Sequence, residues 1–115
     1  MTNHAWIDEF PASVTVCDST GTILEMNQTA IESFKKDGGD TLIGKNVLDC
    51  HPEPARTKLK TLLETHQKNV YFVKKHGVKI MVYQTPWYLN GEPQGIIELS
   101  FEIPQDTPTF DRDKE

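Results

Sequence analysis

The chain has 115 residues, with 17 acidic and 12 basic side chains and a net charge of −5 at neutral pH. That length fits one domain with a real core and leaves little room for a second site. The acidic balance, relieved only by the pairs Lys35-Lys36 and Lys74-Lys75, argues against nucleic acid, and no apolar run or N-terminal leader pattern points to a membrane or to export.

Residues 4–10 form a short amphipathic segment stopped by Pro11, with Trp6, Ile7 and Phe10 on one face that needs an apolar surface to lie on. Val14 and Val16 alternate with polar neighbours in a strand over residues 13–18. Ser19-Thr20-Gly21 supplies a tight turn into a second strand over 22–26. Asn27 stands where its side-chain oxygen can cap a helix beginning at Gln28, which runs to about residue 36 and stops at Gly38-Gly39. Residues 41–51 read as short turns and helical fragments. Pro52 and Pro54 suit the first turn of a longer helix, on which Ala55, Leu59, Leu62 and Leu63 make one stripe to about Gln67. Three strands follow, at about 69–75, 78–89 and 94–103, and Asn90-Gly91 between the last two is the strongest hairpin signal in the chain.

This order predicts an α+β fold, a five-stranded antiparallel sheet with helices on one face and a cavity between the layers. The limits are an N-terminal cap over 1–10, a domain over 11–103, and a polar, proline-broken tail over 104–115 expected to fray.

Asp18, Gly21, Ile23 and Asn27, at these spacings, resemble the opening of a PAS domain, a small sensory α/β module. Leu42-Ile43-Gly44-Lys45-Asn46 is similar to that family's entry into its middle helices, and His51-Pro52-Glu53 to the tripeptide before its connecting helix. Gly77, Pro86, Asn90-Gly91 and Gly95 fall at its hairpins and fourth strand. The resemblance covers roughly residues 8–103; it departs at Glu102-Ile103-Pro104, where Asp-Ile-Thr often closes the last strand. It implies a cytoplasmic sensory and signal-transduction domain without catalytic activity of its own. Output would then pass through a partner protein such as a kinase or cyclase, or through a fusion of which this chain is part.

Alternation along the last strand puts Ile97, Leu99 and Phe101 in the core. The PAS layout instead turns Thr15, Cys17, Ile80, Val82, Gln84, Glu98 and Ser100 toward the cavity, where Asn46, Val47, His51, Leu59 and Phe72 complete the expected ligand pocket. Val14, Val16, Met81, Tyr83, Ile97, Leu99 and Phe101 then form an outer apolar face too large to leave wet. Trp6, Ile7 and Phe10 cover only part of it, so a homodimer is expected there.

The cofactor stays unassigned. Flavin-binding photoreceptors of the family carry a reactive cysteine where Val47 stands, which argues against flavin. Haem is an alternative, with His51 as its ligand, although His51 also reads as a turn residue. Asp49, Cys50, His51 and Glu53 are too close in one turn to suggest a metal site. Cys17 and Cys50 form no CxxC and are expected to be reduced, with Cys17 a packing residue. Ser13, Ser19, Ser33 and Ser100 lie in no nucleophile motif. Gln84, Glu98 and Ser100 read as polar groups for a small molecule; the plainer reading pairs Glu98 with a surface lysine. A structural dimerisation module with a core filled by Phe34, Leu59, Phe72 and Val82 is a second alternative, and an isomerase using Glu98 with His51 a third.

Overall fold

The computed structural model describes residues 4–114; residues 1–3 of the expected cap and Glu115 of the tail lie outside the described residues. In chain order the elements are α1 (Ala5–Asp8), β1 (Ser13–Cys17), β2 (Ile23–Met26), α2 (Gln28–Ser33), α3 (Ala55–Thr65), β3 (Asn69–Lys75), β4 (Val78–Leu89) and β5 (Glu92–Ile103), with short 3-10 turns at Lys35–Asp37, Gly39–Leu42 and Arg112–Lys114. The five strands form one sheet in the order β2-β1-β5-β4-β3, and each pair is antiparallel.

Local chemistry explains the turns. Asp18 accepts hydrogen bonds from the Thr20 and Thr22 amides and from the Thr20 hydroxyl, and Gly21 completes the β1–β2 hairpin at φ +93°. His76-Gly77 and Asn90-Gly91 both hold two successive left-handed residues, the backbone of a tight two-residue hairpin whose twist matches its strands. Asn27 caps α2: its side-chain oxygen accepts from Ala30 N at 2.9 Å and from Val14 N at 3.0 Å, while its amide donates to the Ile7 and Ala12 carbonyls. One buried side chain thus ties α2, β1 and the N-terminal segment together.

Several boundaries differ from the sequence pattern. α2 ends at Ser33 because the chain tightens into 3-10 turns around Gly38 and Gly39, both at positive φ. α3 ends at Thr65, since His66 takes a left-handed conformation and its N–H closes back onto the Leu62 carbonyl. The N-terminal helix is a single turn, and Trp6 and Phe10 are 74% and 45% exposed, so within that expected apolar face only Ile7 is half-buried. Four residues cannot hold a large indole against the sheet without further helix behind them.

The core is divided. Leu59 and Leu62 of α3 pack with Cys17 and Ile96 in one cluster, and Ile23, Met26, Ala30 and Leu42 form another. Val47 packs against both, and among the described residues no large side chain is fully enclosed.

Candidate functional site

Between these clusters lies a cavity of about 780 Å³. Its apolar wall includes Ile23, Met26, Leu42, Leu59 and Ile96, and its mouth carries the exposed Asp37, Lys45, Asp49 and Cys50. The sheet supplies the polar part. Register places Met26, Thr15, Glu98, Gln84 and Asn69 in one row across all five strands, each opposite the next. Directly opposed residues on antiparallel strands point to the same face with Cβ atoms about 5 Å apart, so the row presents its side chains together.

Two hydrogen bonds run along it. Asn69 Nδ2 donates to Gln84 Oε1 at 2.8 Å, and Gln84 Nε2 donates to Glu98 Oε1 at 2.8 Å. The direction follows from chemistry: an ionised carboxylate only accepts, so Gln84 must offer it the NH₂ end, and Asn69 must then donate to the remaining oxygen. The relay stops at Glu98. Beyond it, the Thr15 hydroxyl is buried without a partner, a state that among the described residues no other buried side-chain polar atom shares.

A register shift aims Glu98 inward. Near the Asn90-Gly91 turn, Leu89 faces Glu92 and Tyr88 faces Pro93, but Trp87 faces Gly95, so β5 holds one extra residue there. Such a bulge reverses which face the following residues occupy. It puts Ile96, Glu98 and Ser100 on the cavity face and Ile97, Leu99 and Phe101 on the other. The bulge is locked by close packing: the Trp87 indole N–H donates to the Cys17 carbonyl at 2.9 Å, and a Cβ on Gly95 would lie 2.1 Å from that same oxygen.

The family-model comparison matches residues 7–106 to the PAS fold. The chain belongs to the PAS family. Among solved structures, the PAS domain of Bordetella pertussis BvgS shares 21% identity at a TM-score of 0.65, covering 88% of this chain and 83% of that one. A C-terminal domain from Streptococcus mutans gives 21% identity and a TM-score of 0.68, covering 83% and 78%. The Vibrio cholerae Aer2 receptor, described as a dual PAS-heme oxygen sensor, gives 16% and 0.59, covering 81% and 95%. At these identities the likeness to solved structures is one of fold. No curated protein matches the chain in sequence.

Of the residues expected at the pocket of this PAS domain, Thr15, Cys17, Asn46, Val47, His51, Leu59, Gln84 and Glu98 line the cavity. Val82, Ser100 and Ile80 share the inner face but lie farther along the strands, outside the lining. Phe72 is a correction: it pairs with Met81 on the outer face, is 53% exposed, and has the Lys79 ammonium 4.1 Å from its ring centroid. It therefore fills no part of the core. Its neighbour Tyr71 takes the inner face, where burial and the nearby Glu98 charge raise its phenol pKa.

Asn46 stays with the backbone, accepting from Leu48 N and donating to the Thr20 carbonyl. His51 Nδ1 is 2.7 Å from the Val47 carbonyl, and since a carbonyl only accepts, that nitrogen carries a proton. Burial raises the Cys17 thiol's pKa, opposed by the Ile96 backbone and reinforced by the charges of Asp18 and Glu98, so this thiol is held as a neutral packing group. Glu98 bonds to Gln84 and not to a surface lysine. Among the described residues, no three His, Cys, Asp or Glu side chains are grouped to hold a metal ion, and no helix is long and apolar enough to cross a membrane.

The wall residues Ile23, Met26, Leu42 and Ile96, among others, and Asn69 of the polar row were not expected at the pocket from sequence. Asn69 was legible in principle, because counting outward from the His76-Gly77 turn pairs it with Gln84. Ile96 shares its side of β5 with Glu98, two residues on, and the same bulge turns both inward.

Proposed function

We propose that this PAS domain is a sensory module that takes a small molecule into the chamber between sheet and helices and pairs with a second copy through its outer sheet face. The carrying observation is the chamber's wall, where an apolar lining surrounds a short hydrogen-bonded polar row. Few convergent polar groups in an apolar pocket are the usual make-up of a small-molecule site. The outer face, with Val16, Met81, Tyr83, Leu99 and Phe101 half-buried in the single chain, supports pairing. Coupling has a short path: Glu98 points into the chamber while its chain neighbours Ile97 and Leu99 point outward. A ligand that favours one placement of β5 would thereby favour one arrangement of the pair. In this reading the domain works in the cytoplasm, catalyses nothing, and passes its state to a signalling partner such as a kinase or cyclase.

A haem-based gas or redox sensor is the second reading. It is favoured by His51, whose imidazole stands on the cavity wall with Nε2 free to ligate and Nδ1 oriented by a carbonyl, the second-partner arrangement common behind metal-bound histidines. A filled dimerisation module is disfavoured by the divided core.

Protein as isolated is expected to melt several degrees above the same protein unfolded, dialysed and refolded, because a bound molecule stabilises the native state by mass action. Identical melting, with no change on adding small-molecule extract, contradicts ligand binding. A Soret band moves the assignment to haem. Sedimentation velocity should show a dimer that Leu99→Arg dissociates, and a monomer at all concentrations contradicts the pairing.

A further inference from the structure

The chamber's polar row also bears on what kind of molecule it would take, an inference resting on the reading above. Three carboxylates, Asp37, Asp49 and Glu98, stand on its wall against one ammonium, Lys45. Asp37, Asp49 and Lys45 are exposed to solvent, which screens them; Glu98 lies deeper, bonded to the buried Gln84. The donor–acceptor relay fixes one Glu98 oxygen on Gln84, and among the described residues the other oxygen accepts no hydrogen bond. The next position in the row, Thr15, holds the orphaned hydroxyl. This end of the row therefore offers a carboxylate oxygen that only accepts beside a hydroxyl that can accept as well as donate. Elsewhere on the wall, Ile23, Leu59 and Met26, the last of them next to Thr15 in the row, offer only apolar contact.

We infer that the chamber selects an amphipathic organic cation: a small molecule with an apolar body and a protonated amine or amidine set against Glu98 beside Thr15. An anionic group at that place would meet the Glu98 carboxylate, a like charge. An uncharged donor would satisfy the oxygen with a weaker bond.

Three probes of one shape separate these cases: phenethylammonium, 2-phenylethanol and 3-phenylpropionate, titrated into the intact domain by calorimetry and by NMR. The ammonium is expected to bind about tenfold or more tightly than the alcohol, as a charge-assisted hydrogen bond requires, and the carboxylate most weakly. Glu98→Gln keeps an acceptor for Gln84 and the side-chain shape. It should abolish the preference for the ammonium over the alcohol. In the unsubstituted protein, the Gln84 side-chain amide protons should shift when the ammonium is added, a readout that does not depend on any variant folding. Equal or tighter binding of the alcohol or the carboxylate, a preference retained in Glu98→Gln, or unmoved Gln84 amide signals each overturns the inference. Binding of the alcohol without the ammonium overturns it while the chamber remains a small-molecule site. No response to any of the three at millimolar concentration overturns both.

Discussion

Asn27 shows how much one side chain can fix. Its oxygen accepts from two backbone amides and its NH₂ donates to two carbonyls, all with the residue buried. A carboxamide supplies two N–H donors and an oxygen with two lone pairs from one planar group, which is what these four bonds require. Asn27→Asp is expected to cost about 2–4 kcal/mol in urea unfolding, because a carboxylate would face the Ile7 and Ala12 carbonyls with nothing to donate. The capping half of this role was legible in the sequence; the half that reaches back to residues 7 and 12 was not, since it depends on where β2 returns beside β1. Asp18 permits a pH test. Hydrogen bonds from the Thr20 hydroxyl first, and then from the backbone amides of Thr22, Thr20 and Gly21, hold its carboxyl pKa below the ordinary value. Its contribution to stability is therefore complete above the unfolded carboxylate value, about 4, and is lost as pH falls through the lower folded value. Asp18→Asn should flatten the acid side of the stability–pH curve and leave its slope near neutrality unchanged. An acid limb as steep as that of the parent protein contradicts this account.

At the scale of elements, the decisive feature is the extra residue in β5. Counting back from Asn90-Gly91 without it pairs Gln84 with Ile97, which turns Ile97, Leu99 and Phe101 inward as strict alternation suggests. The observed pairing is Gln84 with Glu98. Hydrophobic periodicity reported the apolar face correctly but could not say which side of the sheet it lay on, because a bulge leaves no period-two signature of its own. Gly95 was the available clue. It sits where a side chain would collide with the Cys17 carbonyl and the Asp18 backbone, and glycine inside a strand marks such close approach. Gly95→Ala is expected to lose about 3 kcal/mol or more, with Trp87 fluorescence altered because the indole shares that contact. A near-neutral effect on unfolding would mean that the bulge does not set the register. The helix boundaries were less legible for a related reason: His66 and the Gly38-Gly39 pair end helices through backbone conformation, not through polarity.

The whole molecule combines a legible architecture with a site that was legible only in part. The hairpins follow from turn residues that admit positive φ and the helical middle from its apolar stripe, whereas the β1–β5 pairing at the centre of the sheet joins distant segments with no turn to announce it. The chamber was expected from helices layered on one face of the sheet, and it takes its form from α3 and the turns before it packing there as two clusters, with Val47 between them. A dry void of about 780 Å³ would cost on the order of 10–20 kcal/mol, more than a domain of this size can spare. Such a space must therefore hold water or a ligand, and the charged residues at its mouth leave a path for either. The apolar side chains of the opposite face are half-buried in the single chain, which is the basis for the pairing proposed above.

The most direct measurement is the stability of Leu59→Phe, whose side chain sits on the chamber wall. If the space between the clusters is open, the larger ring has room, and urea unfolding should show stability unchanged or raised by up to about 1 kcal/mol. A loss of about 1–3 kcal/mol, the cost of overpacking a closed core, would contradict the chamber and the sensory reading built on it.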